Sequence, residues 1–109
     1  MRFYTARYRY SGDDRLDITI KGEGLESWFV YLLKCSDNSL YCGVTKDIKS
    51  RLLKHNQGTA SKYTRARLPV ELAAVHENLS KSEAYKLEYW IKKMPADKKI
   101  STLENWKFS

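Results

Sequence analysis

Two short strands joined by a tight turn are encoded by residues 28–45, which read WFVYLLKCSDNSLYCGVT. The segment 28–34 is mostly apolar, and 40–45 is again rich in aromatic, apolar and β-branched residues, which favour strands. Between them, 36–39 consists of serine, aspartate and asparagine, which favour turns. This pattern predicts a β-hairpin with its turn at 36–39.

The segments that follow the hairpin alternate between helix and strand signals. A helix is expected from about Asp47, whose carboxylate suits an N-cap, to near Gly58, which suits a C-terminal stop. A basic loop over 59–68 then leads to a third strand at about 70–77.

A second long helix is expected to start at Ser80. Glu83 stands three residues later and completes a capping-box pattern. Pro95 breaks this helix and separates it from a short last helix at about 96–105. The order of elements predicts an α+β fold, with a small three-stranded, mainly antiparallel sheet flanked by helices.

The N-terminal residues 1–27 have a strand-like alternation of their own. It runs through 3–10 and 16–20, on either side of a turn signal at 11–14, and predicts a separate β-hairpin. An isolated hairpin is marginal in water, so we expect it to pack on the rest of the protein or to pair with a sheet edge. The chain is therefore divided into an N-terminal extension, 1–27, and a domain, 28–109.

The chain of 109 residues carries a formal charge of +7, and its distribution is uneven. Residues 43–70 hold seven basic side chains and a single acid, Asp47. A concentrated positive field of this kind is typical of proteins that bind a polyanion such as nucleic acid. Charge alone is equally compatible with a basic protein that binds no such partner.

Cys35 and Cys42 lack the spacing of a zinc site, and we expect two free thiols. No apolar run approaches the roughly 18 residues that a bilayer span requires. These features predict a cytoplasmic protein without a membrane segment, either a monomer or a weak homodimer.

Tyr31 and Tyr41 fall on the two strands of the predicted hairpin, and Arg51 lies ten residues beyond Tyr41. This layout resembles the GIY-YIG nuclease superfamily, especially its small single-domain, YhbQ-like branch. Phe29-Val30-Tyr31 and Tyr41-Cys42-Gly43 stand where the family has its two name-giving triplets. Further segments similar to that branch are Lys62-Tyr63-Thr64-Arg65 and Ser82-Glu83-Ala84, and the resemblance covers about residues 28–100.

The resemblance implies a metal-dependent endonuclease that hydrolyses DNA phosphodiester bonds by tyrosine-assisted attack of water. Glu88 would hold Mg²⁺ (or Mn²⁺), and Arg51 would bind a phosphate oxygen. Tyr41 is favoured as the general base, with Tyr31 orienting water or phosphate, although the choice of tyrosine stays open. His55, four residues after Arg51 and so on the same helical face, would orient a tyrosine or accept its proton.

Each of these residues also has a plainer interpretation. Glu88 could form an i,i+4 salt bridge with Lys92. Tyr31 and Tyr41 could be core rings with satisfied hydroxyls. A lone histidine is more often an ordinary surface residue, and His76 is interpreted as structural.

Basic and aromatic residues around this centre are expected to contact nucleic acid: Lys46, Lys54, Lys62, Tyr63, Arg65 and Arg67. Phosphate contacts position a nucleic acid without reading its sequence. The partner is expected to be DNA; single-stranded, branched and duplex forms stay open, as does RNA. The alternatives to an enzyme are a non-catalytic nucleic-acid-binding module with the same fold and an adaptor whose N-terminal hairpin pairs with a partner's sheet.

Overall fold

The computed structural model describes residues 3–4 and 27–108. The strands are β1 (Phe3–Tyr4), β2 (Trp28–Lys34), β3 (Leu40–Thr45) and β4 (Glu71–Leu79). The helices are α1 (Ile48–Asn56), α2 (Lys62–Arg65), α3 (Lys81–Lys93) and α4 (Ala96–Asn105). The predicted α+β class, an antiparallel sheet flanked by helices, is confirmed. The N-terminal hairpin predicted within 1–27 lies outside the described residues, apart from the short strand β1.

The sheet has the order β1-β4-β2-β3, and every pair is antiparallel. The predicted hairpin is present as β2 and β3, with Tyr31 directly opposite Gly43. The three predicted strands are extended at one edge by β1, which pairs with β4 so that Phe3 faces His76. The other edge of the sheet is β3.

The helices cover the two faces of this sheet with separate apolar cores. Side chains of β2 alternate between these faces, as strand geometry requires. One core contains Phe29, Tyr31 and Leu33 of β2 with Ile48 and Leu52 of α1, and the other contains Val30 and Leu32 with Ala84, Leu87 and Ile91 of α3 and Leu103 of α4. Burying each large apolar side chain stabilises the fold by roughly 1.5–3 kcal/mol.

The two cysteines are buried in different cores, Cys35 on the α1 face and Cys42 on the α3 face. Both are free thiols, as predicted. His76, interpreted as structural, is fully buried on β4, and its Nε2–H donates to the carbonyl of Trp106 at 3.3 Å. Within the described residues, none of the helices has both the length and the apolar character to cross a membrane.

The predicted capping residues are present at both ends of α1 and at the start of α3. Asp47 Oδ1 accepts the backbone N–H of Ser50 at 3.1 Å, and Gly58, two residues past the end of α1, has a φ of 79°. This left-handed conformation suits glycine because it has no Cβ. Ser80 and Glu83 form the reciprocal capping box of α3.

The segment 59–68, predicted to be a loop, contains the single helical turn α2. Ser61 is its N-cap, and its hydroxyl accepts the N–H of Thr64 at 3.1 Å. Four residues are too few to show the apolar periodicity that identifies longer helices. The third strand of the domain also continues two residues further than predicted, to Leu79.

Candidate active site

Tyr31 lies at the centre of the candidate site, and Gly43 makes room for it. The two residues face each other across β2 and β3, and the ring of Tyr31 lies over the Gly43 backbone. A Cβ at position 43 would stand 2.5 Å from Cζ of Tyr31 and collide with its hydroxyl. Only glycine therefore lets the phenol take this position, although the site lies inside a strand, where glycine is otherwise unfavourable.

A chain of buried hydrogen bonds begins at the Tyr31 hydroxyl. This oxygen lies 2.9 Å from Nε2 of His55 on α1, and Nδ1 of the same ring lies 2.8 Å from Oγ1 of Thr64 on α2. Thr64 Oγ1 is in turn 2.9 Å from Oγ of Ser61. Tyr31, His55 and Thr64 are each at most 2% exposed, so this polar chain is shielded from water.

The protonation states of this chain follow from its burial. Desolvation, together with the positive charge of the nearby Arg51 guanidinium, lowers the pKa of His55 to about 4. Desolvation also raises the pKa of Tyr31 well above its ordinary value, with a further contribution from Tyr41, while Arg51 opposes the shift. At neutral pH the pair is therefore a phenol and a neutral imidazole.

One assignment of protons satisfies the whole chain. Thr64 Oγ1 lies 3.4 Å from the carbonyl of Ser61 and can donate its proton there. It then accepts the Nδ1–H of His55, which leaves Nε2 with a free lone pair for the Tyr31 hydroxyl. In this tautomer the Tyr31 hydroxyl donates its hydrogen bond to Nε2 of His55.

Tyr41 belongs to a second, more open arrangement of rings. It is half-buried, and its ring lies 5.2 Å from that of His55 in an edge contact. On its other side Tyr63 of α2 stacks at 6.0 Å with an interplanar angle of 27°. The guanidinium of Arg67 covers Tyr63 at 3.8 Å. Tyr41 is thus held between the buried histidine and an exposed stack.

Arg67 is fixed by contacts within the protein. Its Nε donates to Asp37 Oδ2 at 3.0 Å, and Nη1 donates to the carbonyl of Tyr63 at 2.9 Å. Asp37 belongs to the turn of the β2–β3 hairpin, so Arg67 ties the segment after α2 to that turn. Arg67 was predicted to bind nucleic acid, and that prediction stays untested; in this structure its guanidinium contacts Asp37, the carbonyl of Tyr63 and the Tyr63 ring.

The loop that carries α2 is also anchored at its two ends. Asn56, the last residue of α1, donates its side-chain amide to the carbonyl of Val70 at 3.1 Å and accepts the N–H of Val70 at 2.9 Å. The segment between these residues therefore forms a closed loop. It places Thr64 beside His55 and Tyr63 beside Tyr41.

Arg51 stands beside this network on α1 and is partly exposed. No carboxylate forms an ion pair with it in the part of the chain that the structure describes. The other cations predicted to bind nucleic acid are exposed: Lys46 follows β3, Lys54 lies on α1, and Lys62 and Arg65 lie on α2. The guanidinium of Arg51 lies near Tyr31 and His55, since its charge acts on both.

Glu88 approaches from the opposite helical layer. It lies on α3, its side chain is 20% exposed, and Oε2 pairs with Nζ of Lys92 at 3.2 Å. Burial is the main cause that raises the pKa of Tyr31 and of Cys42 on the edge strand β3, and the charge of Glu88 adds to both shifts. Among the described residues, no hydrogen bond joins Glu88 to Tyr31, Tyr41 or His55. The plainer interpretation, the i,i+4 pair, is thus present in this structure.

The donor set offered to a metal is small. Within residues 3–4 and 27–108, no three His, Cys, Asp or Glu side chains cluster closely enough to hold an ion. Mg²⁺ nonetheless needs only one or two protein carboxylates, because it keeps several waters and takes phosphate oxygens as further ligands. A single partly buried carboxylate such as Glu88 fits a metal of that kind and does not fit a site of the zinc type.

A hairpin that carries two tyrosines, packed against a helix that carries arginine and histidine, defines a class of catalytic domain. Residues 27–101 match the GIY-YIG catalytic domain, and the chain belongs to this family. The predicted resemblance is thereby confirmed.

Several relatives of the chain share the name UPF0213. A UPF0213 protein of Nitratidesulfovibrio vulgaris is 45% identical over 82 residues, which cover 75% of this chain and 74% of that protein. The UPF0213 protein YsiG of Lactococcus lactis is 43% identical over 82 residues, covering 74% and 79%. The solution NMR structure of a UPF0213 protein from Bacillus halodurans is 39% identical, with a TM-score of 0.46, and the match covers 72% of this chain and 87% of that one.

Sequence reasoning missed two residues of the site, Thr64 and Ser61. Thr64 was noted only as part of a family-like segment, and its contact with His55 depends on how α2 folds back onto α1. A local signal was present, because Ser61 three residues before Thr64 is a typical capping arrangement. The support of Tyr63 by Arg67 had no comparable signal in the sequence.

Proposed function

We propose that this protein is a metal-dependent endonuclease that hydrolyses DNA phosphodiester bonds. The observation that carries the proposal is the buried hydrogen bond between the Tyr31 hydroxyl and Nε2 of His55, near the guanidinium of Arg51, which has no carboxylate partner among the described residues. Binding of nucleic acid alone does not require a proton acceptor beside a tyrosine hydroxyl. Membership of the GIY-YIG family supports the same conclusion.

The pair can act as a general base in two linked proton transfers. Because Tyr31 is only 2% exposed, this mechanism requires the attacking water to enter beside its hydroxyl when the substrate binds. The Tyr31 oxygen then accepts a proton from this water while it passes its own proton to Nε2 of His55. The hydroxide formed in this way attacks phosphorus, and the bond to the leaving 3′ oxygen breaks. By analogy with the family, the products are a 5′-phosphate and a 3′-hydroxyl, the latter protonated by solvent.

This arrangement favours Tyr31 over Tyr41 as the base, whereas the sequence favoured Tyr41. Tyr31 has a direct proton acceptor, while Tyr41 contacts His55 through its ring. In our proposal Tyr41 orients the water or the phosphate, and Arg51 stabilises the negative charge that develops on the phosphate oxygens. The low pKa of His55 keeps Nε2 unprotonated at neutral pH, so the acceptor is available before the reaction starts.

Glu88 would hold a divalent cation, Mg²⁺ or Mn²⁺, at the β3 edge of the sheet. Such a cation, when bound, polarises the phosphate and supplies positive charge to the transition state. The salt bridge with Lys92 has to open before Glu88 can bind a cation. Lys92 therefore competes with the metal for the same carboxylate.

A pair of variants on α3 tests this assignment. Glu88→Gln should abolish cleavage of labelled oligonucleotides in Mg²⁺ and leave nucleic-acid binding intact, because the ligand is lost and the fold is not. Lys92→Ala breaks the same salt bridge but keeps the carboxylate, so it should cleave at least as well as wild type and at lower Mg²⁺. Rates are measured in single turnover on single-stranded, forked and duplex substrates, with EDTA as the blank. Equal rates for Glu88→Gln and wild type would refute the metal assignment.

A further inference from the structure

Helix α3 exposes large aromatic side chains that the apolar core does not use. Tyr85 is 49% exposed and Tyr89 is 56% exposed. Because they are four residues apart, they share one side of the helix. Rings of this size are normally buried or serve recognition when they cluster at the surface.

Tyr85 contacts Trp28 at the start of β2, and Tyr89 lies about one helical turn further along α3. The rings of Tyr85 and Trp28 are 5.9 Å apart at an angle of 51°. We name the surface formed by Trp28, Tyr85 and Tyr89 the aromatic strip. It runs from the beginning of β2 along the outer side of α3.

Lysines are interleaved with the rings of the aromatic strip. Nζ of Lys46 and Nζ of Lys81 lie 5.7 Å and 5.9 Å from the Trp28 ring centre, and Nζ of Lys93 lies 4.8 Å from that of Tyr89. These are cation–π distances. The strip therefore combines flat apolar faces with positive charge at a spacing of a few ångströms.

The aromatic strip also borders the candidate active site. Glu88 lies between the two tyrosines in the sequence, three residues after Tyr85, so the carboxylate and the Tyr85 ring are neighbours on the helix surface. A polymer bound along the strip would thus pass Glu88. The sequence analysis had assigned Lys46 to nucleic-acid binding but had given no role to Tyr85 or Tyr89.

We propose that the aromatic strip binds a single nucleic-acid strand by stacking its unpaired bases on Tyr85 and Tyr89, with the lysines contacting its phosphates. This inference rests on the proposed nuclease function and extends it to the substrate class. Every base has a π face, so stacking on protein rings tolerates all sequences, and basic residues follow the backbone. In an intact duplex the base faces are already stacked on each other and cannot reach the strip.

The charge of the strip favours a nucleic acid over a second copy of the chain. A symmetric dimer places the same patch on both partners. The patch that carries Lys46, Lys81 and Lys93 would then face a second patch with the same three lysines, and like charges oppose association. A polyanion meets the same lysines with opposite charge.

Two double variants separate stacking from simple apolar contact. Tyr85→Leu/Tyr89→Leu removes both π faces but keeps apolar bulk, whereas Tyr85→Phe/Tyr89→Phe keeps both rings. For a single-stranded oligonucleotide, the leucine variant should bind about five- to 150-fold more weakly for each base that loses its ring. The phenylalanine variant should bind nearly as well as wild type. Affinity is measured by fluorescence anisotropy without metal, so that no cleavage is needed.

Two ligands complete the test with the wild-type protein. An abasic strand of equal length carries the same phosphates without bases, and it should bind wild type about as weakly as the intact strand binds the leucine variant. A duplex should bind all three proteins alike. Equal affinity of wild type for intact and abasic strands would overturn the proposal, as would equal affinity of the leucine variant and wild type for the intact strand. A wild-type dimer that becomes a monomer in the leucine variant on sedimentation would assign the strip to self-association and overturn it as well.

The outcome for the aromatic strip can be distinguished from the outcome for the nuclease. If wild type cleaves no oligonucleotide in Mg²⁺ or Mn²⁺ but shows the binding pattern above, the proposed reaction fails and the strip is supported. If wild type cleaves but the leucine variant binds single strands as tightly as wild type, the proposed role of the aromatic strip is refuted and the proposed nuclease reaction is supported.

Discussion

The two faces of the sheet differ in how deeply they bury the candidate functional groups. On the α1 face, polar groups lie inside the core, where Tyr31, His55 and Thr64 form one chain away from water. On the α3 face the apolar side chains of β2, α3 and α4 form the core, and the functional candidates lie at its margin and beyond, where Glu88 is 20% exposed and the tyrosines of the aromatic strip are more exposed. The candidate groups on the α1 face are buried, whereas those on the α3 face are partly or largely exposed.

This difference matches what each group is proposed to do. A proton transfer between neutral groups benefits from a dry, fixed environment, where a hydrogen bond is stronger and competing water is excluded. A hydrated metal ion and a long polyanion can only be bound at the surface. The substrate would therefore lie at the β3 edge, where the two layers meet.

The largest expected effect comes from removing single hydroxyl groups, which tests whether the buried chain on the α1 face serves catalysis. Tyr31→Phe should slow single-turnover cleavage by on the order of 10²–10⁴, because it deletes the proposed general base. Tyr41→Phe should cost less, since Tyr41 only orients the reacting groups. Both variants keep their rings, so thermal melting should distinguish a lost function from a lost fold. Wild-type rates for Tyr31→Phe would show that the buried chain is purely structural.

The second test uses acid to probe the same buried chain. In the unfolded chain a histidine titrates near pH 6.5, but in the folded protein the pKa of His55 is about 4. Between these values the unfolded state binds the extra proton, so the free energy of unfolding falls as pH decreases from about 6.5 to 4. The slope for one such histidine is at most about 1.4 kcal/mol per pH unit, or about 3 kcal/mol in total.

Urea unfolding at pH 7, 6 and 5 measures this slope. His55→Gln removes the titrating ring, and its stability should depend less on pH, by the equivalent of about one proton. The carboxylates titrate in both proteins and cancel in the comparison. If the two proteins lose stability equally between pH 7 and 5, His55 is not held neutral by the fold.

The smallest expected effect concerns the exposed cations of α2. Lys62→Ala/Arg65→Ala should flatten the log–log dependence of DNA affinity on salt by up to about two units, one for each lost phosphate contact. Lys98→Ala/Lys107→Ala removes the same charge from exposed positions in and after α4, and it should leave the slope near that of wild type. Equal slopes for the two double variants would place the DNA path away from α2.

Much of the fold could be predicted from the sequence because its signals are local. The hairpin over 28–45, the caps at Asp47 and Ser80, and the order of elements depend on neighbours within a few residues. The same holds for the shared helical face of Arg51 and His55. The pairing of Tyr31 with Gly43 is also implied once the turn at 36–39 fixes the register.

The remaining features depend on contacts between segments far apart in the chain. Tyr31 reaches His55 across 24 residues, and Arg67 reaches Asp37 across 30. The sequence shows the charge of Arg67, from which contact with nucleic acid is predicted, but it does not show that Asp37 and the Tyr63 ring contact the same guanidinium. Burial is likewise a tertiary property, so the low pKa of His55 has no signature in its neighbours.

The close approach of Tyr31 and Gly43 makes the residue allowed at position 43 depend on the residue at position 31. Position 43 has no side chain because the space that it would need is filled from position 31, twelve residues earlier. A side chain at 43 and a large ring at 31 exclude each other, so neither position can vary independently of the other. In this chain the segments 29–31 and 41–43 thus form one structural unit, because the ring from one strand fills the space left by the missing side chain on the other.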